Sequence, residues 1–231
     1  FIGSKPYRGV LTGLNEAFLI DDATRIALVR DDPACVDIIK PYLRGQDIGR
    51  WIPDWQGLWM IVLASSGNRT WPWSGSGESA ESLFAQTYQS LHQHLKPLQE
   101  RLMARQDKGQ HWWELRSCDY YSAFDEPKIV YGEITWRSEF AYSAEPLYFL
   151  NTSYVLPTKD LFVLGVLNSP LMWAYFWRNA QHGKDEALRL LGSFMMTLPI
   201  AEPTPLIRAE IEERVTALLA LTTEACNHAH E

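Results

Sequence analysis

At 231 residues, with 46% apolar and 21% charged side chains, the chain has the composition of a folded globular protein and enough length to bury a sizeable core. No apolar run reaches the roughly 18 residues a membrane span needs, no basic-then-apolar leader opens the sequence, and three scattered cysteines (Cys35, Cys118, Cys226) exclude a disulfide frame and fit a reducing cytoplasm. A net charge of −7 weighs against a surface that grips phosphates unaided, although Glu202, Glu210, Glu212, Glu213, Glu224 and Glu231 crowd into residues 200–231, and the rest holds 19 basic against 22 acidic residues.

The first predicted element is a Gly-punctuated loop, Arg8-Gly9-Val10-Leu11-Thr12-Gly13-Leu14-Asn15-Glu16, running into an apolar stretch. Residues 17–30 and 58–64 read as strands from their apolar, β-branched pattern. Thr70-Trp71-Pro72-Trp73-Ser74-Gly75-Ser76-Gly77 is a turn-rich loop. Phe84, Tyr88, Leu91, Leu95, Leu98 and Leu102 then recur at four and three residues, one apolar face of a helix with a kink expected just before Pro97 and a stop near Gly109. His111-Trp112-Trp113-Glu114-Leu115-Arg116 is a short connector.

Lys128 to Trp136 is the clearest strand, and Tyr148 to Leu156 another. Asp160 is placed to cap a helix through Leu167, and Asn168-Ser169-Pro170 starts a second through Arg178. After a proline-rich corner, Thr204 caps and Pro205 opens a last helix with the stripe Ile207, Ile211, Val215, Leu218 and Leu219. Strands and helices mix without βαβ alternation. The expected class is therefore α+β: a mixed twisted sheet with packed helices plus a C-terminal helix, with a domain over residues 1–200 and a helical appendage over 201–231.

Candidate chemistry is sparse. Gly75-Ser76-Gly77-Glu78-Ser79-Ala80 has the spacing of a dinucleotide-type glycine turn, but Trp71-Pro72-Trp73 precedes it where a buried strand is required, so it reads as a plain turn before a helix. No Pro-Pro pair exists for the Asn/Asp-Pro-Pro-aromatic motif of amino-methyltransferases. Pro53-Asp54 with Glu126-Pro127-Lys128 mimics a nuclease metal site, yet the gap between the acids is too long and Pro127 interrupts the strand that must carry the pair. His92/His94 and His228/His230 stand two apart, which points each pair to different helix faces and predicts solvent-facing side chains, not a chelate. No catalytic or metal-ligating residue and no cofactor is expected in these residues. Trp71, Trp73 and Trp112-Trp113 offer two readings, stacking on bases or sugars, or core; Trp59, Trp136, Trp173 and Trp177 read as core.

Taken in order, several segments carry a resemblance. They are Thr12-Gly13-Leu14-Asn15-Glu16-Ala17-Phe18; Lys40-Pro41-Tyr42-Leu43-Arg44-Gly45-Gln46-Asp47-Ile48; the helix ending at Leu98 to Arg105; Trp112-Trp113-Glu114-Leu115-Arg116; Pro127-Lys128-Ile129-Val130-Tyr131-Gly132-Glu133-Ile134; Leu167-Asn168-Ser169; and Leu198-Pro199-Ile200. Together they resemble the TaqI-like C-terminal specificity domain of type IIG restriction-modification enzymes and related adenine-N6 DNA methyltransferases, including those of phage defence. Gly132 stands where that family often has Pro, and the Trp/Gly loop is longer. The end, Leu198 to Pro203 and its helix, also resembles the junction in type I specificity subunits.

The resemblance implies a non-catalytic, cytoplasmic target-recognition domain that binds double-stranded DNA. A covalently linked N-terminal methyltransferase domain, using S-adenosylmethionine and with or without endonuclease activity, flips an adenine while this domain reads flanking base pairs. A chain opening on Phe1, with no initiator Met, fits a fragment of such a protein. The DNA-binding residues it implies are Arg8, Thr12 and Asn15 on the first loop, Arg44 on the second, and Trp112, Arg116, Lys128 and Arg137. Two competing readings stay open: a Trp-rich carbohydrate-binding module built on Trp71, Trp73 and Trp112, and a protein-interaction scaffold using the acidic terminal helix.

Overall fold

A computed structural model describes residues 3–229, with the backbone alone for residues 227–229. In chain order the elements are β1 (Tyr7–Arg8), α1 (Asn15–Phe18), β2 (Leu19–Ile20), α2 (Asp22–Asp31), β3 (Ile39–Leu43), β4 (Trp59–Ile61), α3 (Ala80–Thr87), α4 (Gln89–Leu95) and α5 (Gln99–Ala104). There follow β5 (Lys128–Gly132), β6 (Ile134–Thr135), β7 (Phe140–Ser143), β8 (Tyr148–Phe149), β9 (Ser153–Pro157), α6 (Leu161–Leu167), α7 (Pro170–Asn179), β10 (Gln181–His182), β11 (Leu188–Arg189), α8 (Gly192–Met195) and α9 (Pro205–Ala229). The class is α+β, as expected, with small antiparallel sheets. These elements form two compact units, one from the described part of residues 1–9 with 43–56 and 122–231, the other from 10–42 and 57–121.

The first unit is built on the sheet β1-β9-β5-β7, antiparallel throughout. Its central strand β5 is buried along Lys128 to Tyr131, so both faces must be covered, which is why the sequence there is apolar without alternation. Ile129, Tyr131, Phe140, Tyr154 and Leu156 from the sheet pack with Phe162, Leu164, Leu167 and Phe176 from α6 and α7. The local signals for these helices hold. Asp160 accepts from the Val163 amide at 3.2 Å, Ser169 accepts from Met172 at 3.1 Å with Pro170 at the first position, and Thr204 accepts from Ile207 at 3.4 Å ahead of Pro205. Helix α9 lies against α6 at Gly165, where an added Cβ would stand 2.9 Å from Val215 Cγ2 and 3.0 Å from Ile211 Cγ2, so only glycine permits the approach.

Two expected strands of this unit are interrupted. Residues 128–136 divide at Glu133: β5 stays in the main sheet, while β6 leaves it and pairs with β11, itself paired to β10. Residues 148–156 divide at a turn over residues 150–152, which allows Leu150 O to approach Gly9 so closely that a Cβ there would sit 2.2 Å away. Both breaks converge on one place, described below.

In the second unit β2, β4 and β3 pair antiparallel. The expected strand over 17–30 is corrected: only Leu19–Ile20 is extended, and Asp21 caps α2 by accepting from the Thr24 amide at 2.8 Å. Ile26 to Val29 mimic an alternating pattern, but an Asp-Asp-Ala-Thr start specifies a helix. The long apolar stripe does form, burying Phe84, Leu91, Leu95 and Leu102, but in three pieces. Tyr88 leaves helical geometry between α3 and α4, and a 3-10 turn over Lys96–Leu98 holds Pro97. The stripe ends at Ala104, earlier than Gly109, because Arg105 turns extended.

The tryptophans of the 70–77 loop are core residues. Trp71 and Trp73 stack at 4.9 Å, Trp73 meets Phe84 and Trp113 edge-on, and Trp113 stacks on Phe84 and His111. Two polar side chains bind this core to the chain around it. Glu114, wholly buried, accepts from Trp73 Nε1 at 2.9 Å, Ser66 N at 3.0 Å, Gln110 N at 2.8 Å and His111 N at 3.3 Å, and from the Ser66 hydroxyl. Arg105 donates to the carbonyls of Thr12, Trp112 at 2.7 Å and Glu114 at 3.0 Å, and burial pulls its pKa down to about 10. Gly13 turns at φ +67 beneath it, and a Cβ there would stand 3.0 Å from Arg105 Cδ.

The histidines are corrected too. His92 is half-buried against Glu81 at 3.1 Å, and burial lowers the pKa of His94. His228 and His230 lie outside the described side chains.

Candidate nucleic-acid interface

The break at Glu133 opens a cleft of about 350 Å³ on the first unit, lined by Arg8, Gly45, Gly132, Glu133, Ile134, Asn151, Thr152 and Arg189. Each wall has a local cause. Glu133 sits where the chain changes sheets, its amide donating to Thr152 O at 2.9 Å and its carbonyl accepting from Leu190 at 2.8 Å. Arg8 ends β1 opposite Tyr154, and Arg189 lies opposite Ile134 on β11.

Their side chains meet on one carboxylate. Arg8 Nη2 donates to Glu133 Oε2 at 2.7 Å, and Arg189 Nη2 donates to Glu133 Oε1. Glu133 is nearly covered, whereas Arg8 and Arg189 remain 47% and 39% exposed. Arg8 is steadied further by Tyr154, whose hydroxyl accepts from its Nε at 2.9 Å. Two guanidiniums on one carboxylate leave the cleft one positive charge in excess, in a chain whose formal net charge is −7. Arg189 Nε and the Ser153 hydroxyl are buried there without a hydrogen-bond partner. Beside the cleft stand Ile134, exposed by 55%, and Trp136, exposed by 61% with its indole N–H on Asp185 O at 2.9 Å. Trp136 was expected in the core; β6 is two residues long, and the sheet ends before it can cover this ring. Trp177 is likewise exposed and meets His182 edge-on.

Of the eight residues singled out by sequence, Arg8 alone lines this cleft, with Arg44 next to its Gly45 wall. Arg44 grips Asp47 through two bonds of 2.6 and 2.9 Å. Arg137 lies beyond β6, 79% exposed and paired to Glu139 at 2.7 Å. Lys128 is fully buried, donating to Glu145 O at 2.8 Å, and burial depresses its pKa to about 8. It therefore holds a strand in place and presents no charge to an outside ligand.

The other four belong to the second unit. Thr12 is buried and bonds Asn15, which opens α1. Trp112 is buried with its N–H on Glu81 at 3.3 Å, leaving little ring to stack on. Arg116 is exposed and reaches Asp107 at 3.3 Å. Sequence reasoning missed Glu133 as a site residue and missed Arg189 altogether. Arg189 carried no signal, since Leu188-Arg189-Leu190 is a plain apolar stretch; Glu133 had one, an acid beside a glycine inside the clearest strand. Among the described residues no group of three His, Cys, Asp or Glu could hold a metal ion.

Comparison with known proteins adds a family and a fold. Residues 40–200 match the model of the TaqI-like C-terminal specificity domain. No curated protein is a significant match. Among solved structures, the type IIL restriction-modification enzyme MmeI in complex with DNA superposes with a TM-score of 0.62 at 16% identity, over 96% of this chain and 28% of that one. The type IIG restriction endonuclease BpuSI superposes with a TM-score of 0.54 at 13% identity, over 93% of this chain and 26% of that one. The chain thus spans little more than a quarter of the length of these two enzymes.

Proposed function

From the chain's membership of the TaqI-like C-terminal specificity domain family, we propose that it reads a DNA target sequence for a restriction-modification enzyme. Residues 1–200 would form the reading domain and 201–231 the helix that joins it to its partner. The observation that carries the reading within this molecule is the Arg8–Glu133–Arg189 cleft. Guanidiniums anchored on a shared carboxylate keep outward N–H groups, and arginine N–H groups on guanine O6 and N7 are the commonest specific contact in the major groove. Ile134 and Trp136 beside them add apolar surface for a thymine methyl or a sugar.

The catalytic partner in this proposal is a linked, S-adenosylmethionine-dependent adenine-N6 methyltransferase in the cytoplasm. Extruding its target base costs a few kcal/mol, and about 1–3 kcal/mol per correctly read base pair offsets that cost at the right site only. The near-neutral balance outside residues 200–231 suits a domain that reads bases while its neighbour grips the backbone. The carbohydrate-binding reading has lost its basis, because Trp71, Trp73 and Trp112 are buried. Of the two alternatives, only the scaffold keeps a physical feature, the exposed Leu206, Ile207 and Leu221 on α9.

The test is methylation-site mapping with the full-length gene product on a randomised duplex library. One enriched motif, relaxed at a single base pair by Arg189→Ala, supports the reading. Modification that ignores flanking sequence, or a motif untouched by Arg8→Ala and Arg189→Ala together, refutes it.

A further inference from the structure

A second cleft of about 470 Å³ lies on the same unit, at the start of α7, lined by Gly49, Arg50, Arg137, Ser138, Glu139, Asn168, Ser169, Pro170 and Trp173. Four independent features meet there. The first is the positive end of a ten-residue helix, where Ser169 already caps the Met172 amide and Pro170 has no N–H, so that the Leu171 amide is the donor it offers. The second is a pair of guanidiniums, Arg50 and Arg137, both exposed. One carboxylate, Glu139, opposes them and pairs with Arg137 at 2.7 Å, so the cleft keeps a positive excess before the helix end is counted.

The third is Ser138. Its side chain is nine-tenths buried, with 9% exposure, it lines the cleft, and its hydroxyl has no hydrogen-bond partner in the protein. A buried hydroxyl with no partner in the protein retains a donor for an acceptor that reaches it. The fourth is backbone strain beside Arg50. Trp51 adopts φ 83, a left-handed conformation unfavourable for a bulky residue, and is held in it by bonds from its amide to Phe140 O at 3.0 Å and from Tyr142 N to its carbonyl at 2.8 Å. The strained turn fixes where Arg50 leaves the chain, and Arg50 Nη2 then donates to Asn168 O just before the helix. Asn168 closes the frame, accepting from Phe140 N at 3.2 Å and donating to Phe140 O at 2.8 Å.

We propose that this cleft is a phosphodiester seat: it takes the oxygens of a single backbone phosphate of a nucleic-acid duplex, with Arg50 and Arg137 as charged donors and Ser138 and the α7 terminus as neutral ones. The source of the phosphate rests on the DNA-reading proposal above; the anion chemistry does not. A backbone seat carries no sequence information. It fixes the register in which the Arg8–Glu133–Arg189 cleft meets base edges.

Two measurements separate the layers. In the first, the full-length gene product is titrated with a duplex of random sequence at a series of salt concentrations, followed by fluorescence anisotropy. Arg137→Ala is expected to weaken binding about tenfold for every sequence alike and to reduce the slope of log K against log salt by about one. Arg189→Ala is expected to change preference among sequences instead. In the second, dimethyl phosphate is titrated against the chain by amide NMR, with shifts expected at Ser138, Ser169 and Leu171 that vanish in Arg50→Ala/Arg137→Ala. If the full-length gene product binds no duplex while the chain shows those shifts, the seat stands and the DNA-reading proposal falls. A salt slope unchanged by Arg137→Ala, or dimethyl phosphate that leaves those three amides unmoved, overturns the seat.

Discussion

Arg105 and Glu114 in one unit and the Arg8–Glu133–Arg189 set in the other are handled in opposite ways. In the second unit, Arg105 and Glu114 are buried, and the side-chain bonds they make go to backbone groups, an indole N–H and the Ser66 hydroxyl. In the first, Glu133 is buried but its partners Arg8 and Arg189 stay half-exposed at a cleft. The same residue types therefore serve architecture in one place and remain open to a ligand in the other. What separates them is not charge but whether the protein itself has saturated the hydrogen-bonding groups. A buried, saturated pair locks a fold; a shared carboxylate under two exposed guanidiniums orients them and leaves them positive.

The comparison is broken most directly in the second unit. Glu114→Ala leaves five donors without their acceptor, and Trp73→Ala empties the aromatic core; each is expected to cost about 3–5 kcal/mol in urea unfolding. A loss under about 1 kcal/mol for Glu114→Ala would show that water replaces it and that the site is not the anchor described.

Lys128 gives a smaller effect with a definite sign. Its pKa falls from 10.5 to about 8 on folding because burial disfavours the charged form. The unfolded chain then holds more protons between those values, so stability rises with pH from about 8 to about 10.5 and the penalty is fully present below 8. Lys128→Met should abolish that rise, on the order of 3 kcal/mol, in unfolding curves across the interval. A rise that persists in the variant assigns it elsewhere.

Arg189→Ala sharpens the contrast from the other side. Its stability change should stay under about 1 kcal/mol, since the pair is half-exposed, while discrimination at one base pair of the target falls by about 1–3 kcal/mol. A large stability loss with unchanged discrimination would move this triad into the structural class. Trp136→Ala should be the mildest, within about 0.5 kcal/mol in thermal unfolding because most of the ring is already in water. A larger loss would mean that its bond to Asp185 O holds the β10–β11 ribbon.

Features written in neighbouring residues were legible in the sequence. Asp160, Ser169-Pro170 and Thr204-Pro205 cap the helices they were expected to cap, because capping is decided within four residues. The α3–α5 stripe was legible as periodicity, and its break at Pro97 as covalent geometry. For Trp71 and Trp73 the sequence left stacking and core both open, and the structure takes the second: Trp73 bonds Glu114 and packs on Phe84, and Trp71 stacks on Trp73. Strand position suggested burial for Trp136, but a two-residue strand at the sheet's end has nothing to cover it. The cleft was beyond local reading altogether. Its triad joins residues 125 and 56 positions apart, and only the change of sheet at Glu133 brings them together.

The interleaved architecture has a practical consequence. The backbone crosses between the units after residues 9, 42, 56 and 121, so each unit is assembled from separate stretches of the chain. A chimaera spliced at any of those points would divide a hydrophobic interior between two parents and leave each part without its complement. Recombination therefore has to transplant the whole span, whereas point changes at Arg8 or Arg189, the side chains proposed above to read bases, leave the interior intact.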